Sequence, residues 1–241
     1  MVLIRSFIGL LWCIVFFFAA VICSLLLLKP KIAIVWGKTF WAPIFNYLVG
    51  VKVSVEGLEN VPNGEKPFIV FVNHQSYIDI PVCVATIPND LYFVLKEELR
   101  HMPLVGWFSR YVGMVFVSRA NSQKAKKSLE TVAQIIRAGK HVLIYPEGTR
   151  SEDGKVGKIK MGGISLASAA QVPILPVAID GTQVSQKKGG FLIKPAKVHV
   201  QIGKAFYVPE TITEQNVTAI RTDVQQTLEK LHQIAIEKNK Q

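Results

Sequence analysis

The chain has 241 residues, of which 50% are hydrophobic and 19% charged, and Lys plus Arg exceed Asp plus Glu by 28 − 17 = 11. An apolar share this high excludes a disordered chain, and 17 Gly with 12 Pro is too few for a fibrous or low-complexity one. The mean hydropathy of +0.31 is unusual for a freely soluble protein, which makes the placement of the apolar residues the first question.

They are concentrated at the front. Ser6 to Leu28 carries no charged residue and lies between Arg5 and the pair Lys29 and Lys31. A membrane-crossing helix needs roughly 20 apolar residues. A signal peptide needs about 7–15, followed by a small-residue cleavage site. This run is longer and ends in Leu25–Leu28 before Lys29-Pro30, so a retained membrane anchor is expected. Ile32 to Val51 is a second apolar stretch, with Trp36, Phe40, Trp41, Phe45 and Tyr47, aromatic types that favour the membrane–water interface. Lys38, Pro43 and Asn46 make it a poor lipid-exposed span, so a helix lying in the interface plane is expected. A second span and an ordinary core helix are the alternatives. Residues 1–51 thus read as membrane-anchoring helices and 52–241 as the body. Lys29, Lys31 and Lys38 against Arg5 place that body on the cytoplasmic side. Cys13 and Cys23 fall in the anchor and Cys83 is alone in the body, which suits a reducing compartment.

From Lys52 onward short β-type runs alternate with helical patterns. The runs are Val51 to Val55, Phe68 to Val72, Leu91 to Leu95, Gly113 to Val117, Val142 to Tyr145, Ile174 to Ile179 and Val198 to Ile202. Ser122 to Ala138 places Ala125, Leu129, Val132, Ala133 and Ile136 at helical spacing, with Gly139 set to stop it. A last helix is expected from Thr211, where Glu214 completes a capping-box pattern, with Val217, Ile220, Val224, Leu228, Leu231 and Ala235 as its apolar face. The alternation predicts an α/β body with a mixed, mostly parallel sheet flanked by helices.

The chemistry-bearing residues sit at strand exits, where α/β proteins usually bind ligands. Asn73-His74-Gln75-Ser76-Tyr77-Ile78-Asp79 follows the run ending at Val72. His74 and Asp79 are five apart, about 140° on a regular helix, so they meet only if the chain turns at His74 and the helix starts near Ser76. An Asp on one ring nitrogen fixes the tautomer and leaves the other nitrogen as a general base, although an isolated His–Asp pair is more often a surface hydrogen bond. Tyr145-Pro146-Glu147-Gly148-Thr149-Arg150 offers backbone N–H groups and a guanidinium to a phosphate, or is a plain strand–turn segment. Gly113 to Arg119 is a strand ending in an arginine, and Val172-Pro173-Ile174-Leu175-Pro176-Val177 has the prolines of an edge or strand start.

In this order the four blocks resemble those of the 1-acylglycerol-3-phosphate acyltransferases within the wider glycerolipid acyltransferase family. The similarity runs from about Gly57 to Gly203 and includes His74/Asp79, Gly113/Phe116/Arg119, Pro146 to Arg150, and Val172 to Val177. Tyr145 stands where the family often has Phe, and Ile159 where an aromatic often precedes Lys160. The resemblance implies acyl transfer from an acyl thioester, on coenzyme A or acyl carrier protein, to the sn-2 hydroxyl of 1-acylglycerol 3-phosphate. It implies His74 as base oriented by Asp79, with Arg119, Glu147, Gly148, Thr149 and Arg150 at the substrate phosphate. Lys96 and Lys160 are possible oxyanion or phosphate contacts. It implies no cofactor and no covalent enzyme intermediate, and Cys83, in an apolar run, is a poor nucleophile. Another lysophospholipid or glycerol 3-phosphate as acceptor is the alternative.

The charge of +11 fits an anionic membrane surface, an anionic substrate and an acidic acyl carrier. No zinc spacing, RNA-binding aromatic motif or arginine-rich segment points to a nucleic-acid partner. No metal site is expected, because His101, His141 and His199 stand in no ligand spacing with His74. A compact, single-anchor chain of this size points to a bacterial inner membrane.

Overall fold

The computed structural model describes residues 1–63, 66–103, 105–117 and 122–241 and, over 122–128, the backbone alone. Among these, seven strands form one sheet. In spatial order they are β1 (Val51–Glu56), β7 (Ala196–Ile202), β6 (Ile174–Asp180), β2 (Ile69–Val72), β5 (His141–Ile144), β3 (Leu91–Lys96) and β4 (Val115–Val117). Every neighbouring pair is parallel except β6–β7, so the expected mixed, mostly parallel sheet forms.

The central strand β2 has all four residues buried, which is why its sequence is an unbroken apolar run. Period-two alternation sends Val70 and Val72 to one face, with Leu175 and Val177 of β6, Ile78, and Val82 of α4 (Asp79–Thr86). Ile69 and Phe71 go to the other face. There they meet Val132, Ala133 and Ile136 of α6 (Ser122–Arg137), Ile164 and Leu166 of α7 (Met161–Ala170), and Ile220, Val224 and Leu228 of α9 (Val217–Asn239). Each fully buried aliphatic side chain of this kind contributes ~1.5–3 kcal/mol, so the two layers hold the strand exits in fixed register.

Gly139 ends α6 as expected, with φ +100° and its N–H on the carbonyl of Ile136. The last helix starts later than its capping pattern suggested. Thr213 and Asn216 exchange hydrogen bonds, Thr213 N–H to Asn216 Oδ1 at 2.8 Å and Asn216 N–H to Thr213 Oγ1 at 3.3 Å. That reciprocal pair is a capping box two residues nearer to the regular helix, and it displaces the Thr211–Glu214 pair. The buried stripe of α9 also holds His232, within an otherwise aliphatic face.

The front of the chain forms a layer on this body. α1 (Val2–Leu26) is followed by a continuous helical run made of α2 (Lys31–Trp36), a wide π-turn (Gly37–Trp41) and α3 (Ala42–Val49). Both helical runs are long and apolar enough to cross a membrane by length and composition. α1 is nonetheless two-faced. Leu3, Phe7, Leu10, Ile14, Phe18 and Leu25 are exposed along one side, while Gly9, Ala20 and Ser24 are buried along the other. Contacts with the body near both ends, and with the second helical run between them, hold it in place. Ser6 Oγ accepts the N–H of Ile193, Trp12 Nε1 donates to the carbonyl of Trp41, and the carbonyl of Ser24 accepts the hydroxyl of Tyr111 on α5 (Val105–Tyr111). A Cβ at Gly9 would lie 2.6 Å from Val49, so close approach requires glycine there.

The second stretch divides between two of its three sequence alternatives. Ala42, Phe45, Asn46 and Val49 are built into the body, whereas Phe40, Ile44 and Tyr47 are exposed. Lys38 turns inward, donating to the carbonyl of Pro88 and pairing with Asp90 at 3.2 Å, which removes its charge from the apolar face.

Candidate active site at the exit of strand β2

The chain leaves β2 through Asn73, whose buried amide replaces a ladder residue. Its Nδ2 donates to the carbonyl of Ile179 at 2.9 Å and its Oδ1 accepts the N–H of Ile179 at 2.7 Å. The backbone then turns, and the helical spacing that would keep His74 and Asp79 apart never applies. Regular helix begins at Asp79, after a turn at Tyr77–Ile78, and Ser76 Oγ accepts the N–H of Ile78. Asp79 reaches back over this turn. Its Oδ2 lies 2.7 Å from His74 Nδ1 and accepts the N–H groups of Gln75 and Ser76 at 2.8 and 2.9 Å. The carboxylate is wholly buried, while the His74 side chain keeps 15% of its surface open. The imidazole stacks on Tyr145 at 3.8 Å and 15°, so its face is covered and its Nε2 is left without a partner among the described residues.

The second motif grips the first. Glu147 Oε1 accepts the backbone N–H of His74 at 2.9 Å, and the N–H of Ser151 donates to the His74 carbonyl at 2.7 Å. Both polar groups of the catalytic candidate's peptide are therefore fixed by a loop more than seventy residues away. Gly148 permits that loop, with φ +72° in the left-handed region. Glu147 is 3% exposed, and burial pushes its carboxyl up to about 7 although the N–H groups of His74 and Gly157 favour its charge. Its second oxygen faces Gly157, where a Cβ would sit 2.7 Å away. Burial likewise raises the Cys83 thiol well above its ordinary value, with the Asp79 charge adding to the effect, and this keeps the thiol protonated.

Arg150 lies half-buried beside this turn, its guanidinium carbon 3.8 Å from the centre of the Tyr77 ring. Its Nη1 is buried with no hydrogen-bond partner among the described residues. A buried donor left unmade costs ~1–3 kcal/mol, which an incoming anion can recover.

Three residues that the sequence reading passed over complete the arrangement. Thr182 opens the short α8 (Thr182–Ser185) after β6, and its hydroxyl lies 2.5 Å from Asp79 Oδ1 and 3.1 Å from Gln75 Oε1. A hydroxyl has one proton, and the nearer, charged acceptor takes it. Gln75 Nε2 in turn reaches the carbonyl of Gly154 at 2.7 Å and Nε2 of the buried His232 at 3.0 Å. The only sequence signal for Thr182 is its place after the apolar run of β6, at the same end of the sheet as His74.

Other candidates stand apart. Thr149 is exposed. Lys96 ends β3, exposed, and makes no hydrogen bond or ion pair with this cluster among the described residues. Lys160 precedes α7, donates its N–H to the carbonyl of Pro146, and lines a groove with Tyr145 and Gly148. Arg119 lies outside the described residues. Gly113 and Phe116, its companions, have structural positions: Gly113 has φ +81°, and Phe116 is a buried side chain with the Arg100 guanidinium 4.8 Å from its ring centre.

A strand-exit His–Asp pair, an inter-motif carboxylate and a guanidinium with an unused donor thus stand together at one end of a mostly parallel sheet. The acyltransferase family model matches residues 52–180, and the chain belongs to that family. Among similar proteins is the 1-acyl-sn-glycerol-3-phosphate acyltransferase of Pseudomonas aeruginosa, 34% identical over 177 residues, which are 71% of this chain and 67% of that one. A chloroplastic 1-acyl-sn-glycerol-3-phosphate acyltransferase of Brassica napus is 30% identical over 168 residues, 69% of this chain and 48% of the relative. The chain spans about half the length of such plant and algal relatives, at 48%, 39% and 56%. The crystal structure of the 1-acyl-sn-glycerophosphate acyltransferase of Thermotoga maritima superposes with a TM-score of 0.74 at 29% identity, covering 97% of both chains.

Proposed function

We propose that this protein transfers an acyl chain from an acyl thioester, on coenzyme A or acyl carrier protein, to the sn-2 hydroxyl of 1-acylglycerol 3-phosphate, giving phosphatidic acid. One arrangement carries the proposal: a free imidazole Nε2, with Nδ1 held by a buried carboxylate, beside a guanidinium with an unused donor. His74 Nε2 takes the hydroxyl proton as the oxygen attacks the thioester carbonyl. The tetrahedral oxyanion collapses, the C–S bond breaks, and the imidazolium returns the proton to the departing thiolate. General base help of this kind is typically ~10²–10⁴-fold, so positioning supplies much of the rest. Asp79 keeps the ring in one tautomer and stabilises the imidazolium.

Arg150 holds the substrate phosphate, joined by Arg119 and the backbone of Thr149, with Lys160 and Lys96 as outer contacts, while the Gly148 N–H is already given to the carbonyl of Tyr145 and shapes the turn. Glu147 acts from beneath, by fixing the His74 peptide. An apolar cavity of about 330 Å³ lies behind α4, lined by Ile80, Val84, Phe16, Gly37, Trp41 and Met114. It begins one residue from Asp79, and we assign it to a substrate acyl chain.

We infer that residues 1–51 hold the protein at a bacterial inner membrane, with the body (52–241) on the cytoplasmic side. At 1.5 Å per residue α1 is about 37 Å long, more than the ~30 Å hydrocarbon core. A helix bonded to the body from Ser6 to Ser24 has no free length with which to cross, so it lies in one leaflet with its exposed stripe in the lipid.

The test is thiol release from oleoyl-coenzyme A by the detergent-solubilised chain. Lysophosphatidate, glycerol 3-phosphate and lysophosphatidylcholine serve as acceptors, and His74→Ala as control. Release with lysophosphatidate and none in the variant is expected. Release with another acceptor alone replaces the substrate; none with either donor refutes acyl transfer.

A further inference from the structure

We propose that the loop from Lys187 to Lys194 is a second membrane contact, specific for anionic lipid, which works beside the apolar stripe of α1. The proposal rests on the membrane reading of residues 1–51 and extends it to a segment of the body that composition does not mark as lipid-binding.

The loop is built as a rigid projection. Its base is closed by Ser185 and Lys194: the N–H of Lys194 donates to the Ser185 carbonyl at 2.8 Å and Ser185 Oγ donates to the Lys194 carbonyl at 2.7 Å. The N–H of Gly190 donates to the carbonyl of Lys187, and Gly189 has φ +80°, so the tip is a defined turn. At that tip Phe191 is 91% exposed and Leu192 is 46% exposed, whereas the next residue, Ile193, is buried. A fully presented Phe beside a half-exposed Leu gains nothing from water, and an aromatic–aliphatic tip on a closed loop suits partial insertion among lipid headgroups.

Two further observations fix the partner. The loop is tied to α1 through the bond from Ile193 N–H to Ser6 Oγ, at the end of the helix that carries the exposed Leu3 and Phe7. Within it Lys188 is paired with Glu152 at 3.0 Å, and the charges named next, left unpaired around the loop, are cationic. Lys187 and Lys194 are exposed and make no ion pair among the described residues. Arg5 and Lys52 are likewise unpaired among the described residues, and they line an open groove of about 650 Å³ with Ile4, Ile8, Tyr47 and Leu48. Cations around an apolar tip fit the phosphates of an anionic bilayer, where each well-placed Lys or Arg adds about five-fold to partition.

The experiment uses the full chain with vesicles of phosphatidylcholine alone and with 30% phosphatidylglycerol. Position 191 is exposed, so Phe191→Trp leaves the core intact. Lipids brominated near the glycerol should quench this variant beyond the quenching of the four native Trp residues, and more strongly with phosphatidylglycerol. Lys187→Gln/Lys194→Gln should lower partition onto the anionic vesicles about thirty-fold and leave phosphatidylcholine binding unchanged. Equal partition of this variant and the wild type, or no added quenching at position 191, overturns the proposal. Wild-type chain that stays off both vesicles refutes the membrane reading itself. Added fluorescence of the Phe191→Trp variant that changes with protein concentration in vesicle-free detergent assigns the tip to a second copy of the chain and also overturns it.

Discussion

Glu147→Gln separates the electrostatic cost of the inter-motif carboxylate from its hydrogen bonds. In the folded chain the group is raised from 4.5 to about 7, chiefly by burial. A group raised on folding adds stability that is fully present below its unfolded value and lost as pH rises through its folded value. Ionised Glu147 therefore penalises the native state above pH 7 by about 3 kcal/mol, taking 1.36 kcal/mol per pH unit. The amide cannot ionise, and like the protonated acid it offers one good acceptor to the N–H groups of His74 and Gly157. The variant and the wild type should thus have similar stability near pH 4, below the unfolded value. By pH 8.5 the variant should have gained about 3 kcal/mol relative to the wild type, or about 6–12 °C in Tm for a chain of this size. Thermal unfolding in detergent followed by circular dichroism at pH 4.0, 5.5, 7.0 and 8.5 measures this difference. Parallel Tm curves for the two proteins would refute the idea that Glu147 titrates near neutrality. Parallel curves with the variant lower throughout would show that its two hydrogen bonds, and not its charge, dominate.

Asp79→Asn keeps an oxygen for the three N–H donors of His74, Gln75 and Ser76 but removes the charge; turnover should fall ~10²–10⁴-fold with Tm changed by only a few degrees. Full activity in that variant would sink the dyad. Thr182→Val removes the hydroxyl on Asp79 Oδ1 and should lower kcat up to about 100-fold, the worth of one hydrogen bond to a charge, with the acceptor KM unchanged; a change in KM alone would make Thr182 a substrate contact. Arg150→Ala should raise the acceptor KM far more than the donor KM, and Arg150→Lys should restore it only in part, because the ammonium lacks the planar fork. Equal effects on both substrates would move Arg150 out of the phosphate site. Gly37→Leu projects into open space at the wall of the apolar cavity and should shift preference toward shorter acyl chains in a competition assay; an unchanged chain-length profile would remove that cavity from acyl binding.

The strand runs and the His74 and Arg150 motifs were legible because each depends on local order: period-two burial in the strands, and polar residues placed immediately after them. The join between motifs was not. Glu147 acts on the amide of His74, and a backbone N–H has no sequence letter, so a carboxylate read next to an arginine looked like a substrate group. Thr182 and His232 reach the site through Gln75 and Asp79 from chain positions more than a hundred residues on, with no spacing rule to link them. For α1 the apolar composition masked the division of faces, since hydropathy is high all round. The small residues Ser6, Gly9, Ala20 and Ser24 on one side were the trace of its packing against the body. The start of α9 shows the limit of a capping pattern, because two overlapping polar triplets compete and only tertiary packing decides between them.

The pairing of β1 with β7 has a consequence for synthesis. Val51 lies opposite Ala196, so the first strand waits for its neighbour in the sheet until nearly 150 further residues have been made. At ~5–20 residues per second that interval is roughly 7–30 s. The α1 helix leaves the ribosome long before, and in lipid it satisfies its own backbone without help from the body. On the proposed membrane placement, the growing chain is then tethered at the bilayer while Asp79 still lacks Thr182 and the sheet still lacks its edge. On that placement the order of the elements makes the membrane surface the place where the body folds, and the Asp79–Thr182 contact closes only after α1 has met the lipid.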